Sequence, residues 1–153
     1  MVEDAKFEDG GEKALRLKAL DADELPVIAS LVQDAVFPGS EMTWDRRRRR
    51  FALLLNRFRW EDRRAPERVQ SVLTIEDATR VGSQGVGRGD ADTVLSLLTL
   101  DWEPGEDGTG ALVLTLAGDG AIRVEVEALE VTLTDVTRPY VAPSGKVPGH
   151  PDG

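Results

Sequence analysis

The stretch that decides the fold of this chain is residues 122–133, which read IRVEVEALEVTL. Its apolar residues occupy even-numbered positions up to Val126 and odd-numbered positions from Leu129 onward. Successive side chains of a strand point to opposite faces, so a change of parity requires an inserted residue or a bend. We therefore predict a bulge or kink at Glu127–Leu129, in a strand with one buried face.

Residues 73–81 (LTIEDATRV) are similar to residues 124–132 (VEVEALEVT), with a kink at Glu76-Asp77. Each piece ends a series of strand, strand and kinked strand. The strands of the two series are predicted at 42–45, 51–58 and 72–81, and at 97–102, 112–117 and 122–133. The pattern indicates an α+β domain, mostly antiparallel β, with about seven to nine strands in two similar halves. Its architecture is expected to be barrel-like or two-layered.

One N-terminal helix is expected to pack on this β structure. Asp23 as N-cap places Pro26 in the first turn, where the missing N–H of proline costs least. An apolar stripe at helical spacing follows, made of Ile28, Leu31, Val32 and Ala35.

Two further segments have clear β signals. Residues 93–102 are apolar on both parities, which predicts a strand buried on both faces. Gly118-Asp119-Gly120 predicts a tight hairpin, because such turns need residues with positive φ.

The 153 residues suit a single globular domain, predicted over residues 13–137. Residues 1–12 are expected to be a flexible acidic leader, and the Pro/Gly-rich residues 138–153 a disordered tail. No apolar run approaches the ~20 residues of a membrane span, and the N-terminus lacks a secretory signal pattern. A soluble cytoplasmic protein without a membrane partner is the expectation.

The amino-acid composition excludes several kinds of catalytic and metal-binding site. The chain has no cysteine, which excludes disulfides, thiol nucleophiles and thiolate metal sites. Its one histidine, His150, lies in the predicted tail, where it cannot be held against a substrate. We therefore expect no catalytic residues, no metal and no cofactor. The remaining enzymatic option is a site built on carboxylates and arginines, for which Glu125 and Glu127 are examples.

Charge is distributed unevenly along this acidic chain, whose net charge is −9. Residues 45–64 contain nine arginines and three acids, a net charge of +6, whereas residues 101–135 contain nine acids and one arginine, a net charge of −8. Such separation favours a protein partner or self-association of basic against acidic surfaces.

The most distinctive segment is the basic strand that follows the five-arginine run at 46–50. Its candidate binding residues, together with one from the first kinked piece, are Arg50, Asn56, Arg57, Arg59, Trp60 and Arg80. One interpretation is a strand that binds phosphates and stacks on bases. The other is that Phe58 and Trp60 belong to the core, while the arginines solvate an edge and pair with the acidic second half of the chain.

The chain resembles domain-of-unknown-function family 2948, which consists of small bacterial proteins. The resemblance rests on residues 15–20, the helix end at 31–36, the strand at 50–61, and the pieces 77–85 and 118–127. It implies no activity and no site residues. The five-arginine run and the long tail look like departures from the family pattern.

The function that these observations favour is a small non-enzymatic binding or regulatory module that acts through protein–protein contacts. Two alternatives remain: binding of RNA or a phosphorylated ligand by the arginine-rich aromatic strand, and an enzyme based on carboxylates and arginines.

Overall fold

The computed structural model describes residues 14–59, 67–86 and 93–137, and the backbone of 140–141. The predicted leader, the predicted tail apart from that short backbone, and Trp60 lie outside the described residues. The elements are β1 (Arg16–Ala19), α1 (Leu25–Leu31), β2 (Val36–Pro38), a 3-10 turn (Gly39–Glu41), β3 (Met42–Asp45), β4 (Arg50–Phe58), β5 (Glu67–Ile75), β6 (Ala78–Gln84), β7 (Val94–Pro104), β8 (Gly110–Leu116), β9 (Ala121–Val126), β10 (Val131–Asp135) and β11 (Tyr140–Val141).

The described strands form one antiparallel sheet of eleven strands. Its main path runs β1-β10-β5-β4-β2-β7-β8-β9-β6, with β3 paired to β4 and β11 paired to β5. The predicted α+β class, mostly antiparallel β with a single helix, is therefore confirmed. The strands beyond the expected number include β2 and β11, which are too short to show a period of two in the sequence.

The two predicted series of strands are both present, each as a run of neighbouring antiparallel strands. In the first half β3, β4 and β5 are consecutive neighbours, and in the second half β7, β8 and β9 are. The strand after each series crosses to the other half, so that β6 pairs with β9 and β10 pairs with β5. Strand β2 links the halves because Val36 pairs with both Asn56 of β4 and Ser96 of β7.

Both predicted kinks are present, and they lie side by side. The backbone N–H of Glu76 donates to the carbonyl of Glu130, and that of Glu127 donates to the carbonyl of Asp77, each over 3.0 Å. Asp77 has a φ of +57°, a left-handed conformation that aspartate tolerates better than most residues. At these two bends the sheet passes from the β5–β10 ladder to the β6–β9 ladder. We call the two adjacent bends, at residues 76–77 and 127–130, the paired bend.

One core collects side chains from both halves and from α1. All four residues of the predicted helix stripe are buried, as expected. The start of the helix differs from the prediction, because the N-cap is Glu24 and not Asp23. Asp21 Oδ1 accepts from the N–H groups of Asp23 and Glu24, and Glu24 Oε1 accepts from Leu20 N–H. This reciprocal pair forms in a turn that precedes the helix, so Pro26 still falls in the first turn.

Strand β7 is not buried on both faces, contrary to the expectation from its composition. Leu97 and Leu100 are buried, whereas Val94 and Leu98 are 67% and 39% exposed. The hairpin at Gly118-Asp119 has the predicted positive φ angles, +84° and +74°.

Two glycines give a matched test of how tightly the strands pack. A Cβ on Gly110 would lie 2.5 Å from the carbonyl oxygen of Glu103 and closer still to the Trp102 ring, whereas one on Gly82 would meet nothing within 4 Å. Gly110→Ala should lower the free energy of unfolding by about 1–3 kcal/mol through overpacking.

Gly82→Ala is the control, and it should leave that free energy unchanged or raise it by about 0.4–1 kcal/mol through the unfolded chain. Urea unfolding of both variants measures the difference. Equal effects of the two substitutions would contradict the packing described for β7 and β8.

Candidate functional site

The basic strand β4 places one arginine inside the domain. Arg57 shares the core face of β4 with Leu55, and its side chain is 0% exposed. Its guanidinium donates to both carboxylate oxygens of Asp135 on β10, over 3.1 and 3.2 Å, and to Ser71 Oγ on β5, over 3.1 Å. Ser71 Oγ in turn donates to Asp135 Oδ1 over 2.6 Å. Three neighbouring strands are therefore joined by one buried, two-pronged ion pair.

The neighbouring Arg59 is buried as well, and it pairs with Glu67 over 2.5 Å. The interpretation that the arginines of this strand solvate an edge is thus wrong for Arg57 and Arg59. Strand β4 is not an edge, since β5 lies on one side and β2 and β3 on the other. The carboxylates that face both arginines come from β5 and β10, which a reading of β4 alone could not show.

The other candidate residues are scattered. Arg50 is exposed and forms an ion pair with Glu76 over 3.0 Å. Asn56 is half-buried in the middle of the sheet, in register with Gln70. Arg80 lies at the far side of the paired bend, on β6. Among the described candidate residues, Arg80 is the one that lines the groove described next.

That groove lies between the β3–β4 turn and the start of β6, and its volume is about 500 Å³. It is lined by Trp44, Arg46, Arg49, Ala78, Thr79, Arg80 and Val81. We call it the arginine groove. Its volume falls within the range of small-ligand sites, which runs from about 300 to 1,000 Å³.

Hydrogen bonds to backbone groups hold the turn between β3 and β4, which borders the groove. Asp45 Oδ1 accepts from Arg48 N–H over 3.1 Å, and Arg49 N–H donates to the Arg46 carbonyl over 3.3 Å. Arg49 has a φ of +56°, which reverses the chain into β4. We call residues 46–49 the arginine turn. The Arg49 carbonyl accepts from Ala78 N–H over 2.8 Å, so the arginine turn is hydrogen-bonded directly to the first residue of β6.

The groove is strongly cationic. No acidic residue is among the described residues that line it. Arg49 contacts Glu127, which lies outside the lining, while Arg46 and Arg80 have no ion pair within the described ranges. The charges of Arg46 and Arg80, which no described acid pairs, repel each other, so an anion that enters the groove relieves this repulsion. Arginine suits that role because its planar guanidinium binds carboxylates and phosphates with two parallel hydrogen bonds.

Trp44, Arg46 and Arg49 are site residues that sequence reasoning missed. The five-arginine run looked like a departure from the family pattern, and its pairing with residues 78–81 depends on a hydrogen bond between distant parts of the chain. One local signal was available, because Asp45 followed three residues later by Arg48 is a common way to close a turn.

A second groove lies across β6, β8 and β9 and has a volume of about 350 Å³. Its only cation among the described lining residues, Arg123, is neutralised by ion pairs with Glu103 and Glu125. The hydrogen bond to Glu103 raises the pKa of the Arg123 guanidinium above its ordinary value. This groove therefore lacks the uncompensated charge of the arginine groove.

Carboxylates do not gather into a metal site in the described part of the chain, where no group of three or more His, Cys, Asp or Glu could hold an ion. Within the same part, no helix has the length and apolar character needed to cross a membrane.

A bent antiparallel sheet, one short helix and a groove lined by three arginines characterise the described part of this β domain. The chain belongs to the family described as Protein of unknown function (DUF2948), whose model matches residues 15–150. The match runs from the residue before β1 into the segment predicted as a tail. Comparison with curated proteins gave no match, and comparison with solved structures gave none either.

The buried ion pair makes a stability prediction. Asp135→Ala leaves the Arg57 charge buried without its carboxylate, so the free energy of unfolding should fall by about 3–5 kcal/mol. Glu127→Ala is the control: it removes an ion pair whose carboxylate side is 58% exposed, and its cost should stay within about 1 kcal/mol.

Chemical denaturation measures both changes. If Asp135→Ala leaves too little folded protein to titrate, the double variant Arg57→Met/Asp135→Leu should recover much of the stability, since no charge is then left buried. Similar costs for Asp135→Ala and Glu127→Ala would show that Arg57 is solvated.

Proposed function

We propose that this protein is a non-enzymatic binding module whose arginine groove binds an acidic segment of a protein partner. The observation that carries the proposal is the gathering of three arginines and a tryptophan around one groove, with no acid among its described lining residues, in a chain with a net charge of −9. In a chain with 28 acids and 19 basic residues, such a surplus of positive charge is unusual. A carboxylate-bearing ligand complements it.

Binding rather than catalysis fits the side chains present. Arginine stays protonated at all physiological pH values, and general acid–base catalysis needs a group that titrates near the working pH. The described lining of the groove offers only arginine, tryptophan, threonine and aliphatic side chains. Trp44 supplies apolar contact area and a ring face, as tryptophan does in many binding surfaces.

An acidic protein segment fits better than a nucleic acid. A long polyanion has to approach the whole surface, and the acids of residues 101–135 would repel it. Two of the arginines that suggested RNA binding, Arg57 and Arg59, are buried in ion pairs. A short acidic segment needs to contact only the groove. We further propose that the partner is met in the bacterial cytoplasm, since a domain without cysteine needs no oxidising compartment.

Fluorescence anisotropy with a labelled peptide of alternating glutamate and threonine tests the proposal. Exposed ion pairs contribute about 0.2–1 kcal/mol each, so Arg46→Gln/Arg49→Gln/Arg80→Gln, which removes three of them, should weaken binding by about threefold to 150-fold. Added salt should weaken the wild-type complex.

The matched control is Arg16→Gln/Lys18→Gln/Arg123→Gln, which removes the same charge from exposed basic residues that lie outside the groove and outside the turn between β3 and β4. It should bind within about twofold to threefold of wild type, because the lost charges are screened. Equal weakening by both triple variants, or no binding by the wild type at low salt, would overturn the proposal. Preferential binding of a short RNA over the peptide would overturn its choice of ligand.

A further inference from the structure

Strand β6 is one end of the sheet, and no other described strand pairs with its outer side. Its residues Arg80–Gln84 pair with β9 on one side only. On the other side, the one backbone hydrogen bond to a described residue is the bond from Ala78 N–H to the Arg49 carbonyl. Apart from the hydrogen bond that Thr79 Oγ1 donates to the Glu125 carbonyl of β9, residues Thr79 to Gln84 form no hydrogen bond or ion pair with the described part of the chain outside the β6–β9 ladder. The backbone groups on the outer side of β6 are therefore open to a new partner.

The exposed edge is long for a domain of this size. Strand β6 has seven residues, whereas the opposite end of the sheet, β1, has four. Most β6 side chains are exposed, and only Ala78 is fully buried; Val81 packs partly against the core. A bulge between Ala78 and Arg80, together with the Arg80 charge, interrupts the edge. A bulge and a charge on an edge strand discourage pairing with strands of other proteins in general. A strand that does pair with β6 must therefore complement the Arg80 charge.

The free edge and the arginine groove coincide. The first four residues of β6 form one wall of the groove, and the turn that contains Arg46 and Arg49 forms another. A strand added to β6 would lie about 4.8 Å from it, with alternate side chains on the same face. Acidic side chains at alternate positions of that strand would thus reach the guanidinium groups, while its backbone pairs with β6.

We infer that the acidic segment binds as an extended strand added to the free edge of β6, with acids at every second residue and no proline at the residues paired to β6. The inference rests on the proposed function and specifies how the ligand is held. Backbone hydrogen bonds supply affinity in this mode of recognition, and alternate side chains supply specificity. An acidic helix or a compact anion would not satisfy the β6 backbone.

N-methylation of the glutamate–threonine peptide tests the inference without changing its charge. In a strand, the N–H groups of alternate residues point to opposite edges, so only one parity can face β6. Methylation of either all glutamate or all threonine amides should therefore weaken binding by about tenfold or more, because several backbone hydrogen bonds are lost. Methylation of the other parity should change it by less than about threefold, since those amides face solvent.

Three other results would overturn the inference, and they separate a failure of strand addition from a failure of the proposed function. If both methylated peptides bind like the parent, the groove binds carboxylates without strand addition and the proposed function stands. If both methylated peptides bind more weakly to the same extent, the ligand does not present one set of alternate amides to β6, and strand addition is wrong. If the parent peptide does not bind at all, the proposed function itself fails.

Amide hydrogen exchange of the full chain provides the second readout. The parent peptide should slow exchange at some of the amides from Thr79 to Gln84, those that point away from β9. The amides of β1, the other end of the sheet, serve as the internal control and should not change. Unchanged exchange throughout β6 in the saturated complex would overturn strand addition.

Discussion

The rest of the structure depends on the paired bend, in which two distant segments of the chain turn together. Two hydrogen bonds, from Glu76 N–H to the Glu130 carbonyl and from Glu127 N–H to the Asp77 carbonyl, hold the bends side by side. The bend between β9 and β10 also changes the parity of the buried residues, from even positions in β9 to odd positions in β10, so both strands keep their apolar side chains in the core. A bend in one strand alone would break the ladder that joins it to its neighbour.

The candidate site is a consequence of this geometry. Because the chain bends after β5, β6 leaves the first half and becomes the outer strand of the second half. The same bend brings Ala78 to the carbonyl of Arg49, which fastens the arginine turn over the new edge. The buried ion pair of Arg57 with Asp135 joins β4 to β10, and Ser71 of β5, which lies between them, completes the network. This ion pair lies further along the same strands from the groove, which is held at its own end by the hydrogen bond between Ala78 and Arg49.

Much of the fold could be predicted from the sequence, because its signals are local. The parity change at residues 126–129 predicts a bend by simple counting, and the helix stripe and the Gly118-Asp119 turn are equally local. The site could not be predicted in the same way. Alternation places Arg57 on a face, but only its partner 78 positions away makes burial of that charge possible. Arg46 and Arg49 look like a solvated run until the bend sets β6 beside them.

The central claim is that the paired bend builds a binding surface from the arginine turn and the edge of β6. A ¹H–¹⁵N NMR titration of the full chain with the alternating glutamate–threonine peptide tests it most directly. The account predicts saturable shifts of the backbone amides of residues 44–49 and 78–84, with little change in β1 and α1. Shifts confined to other surfaces, or no shifts at low salt, would contradict it.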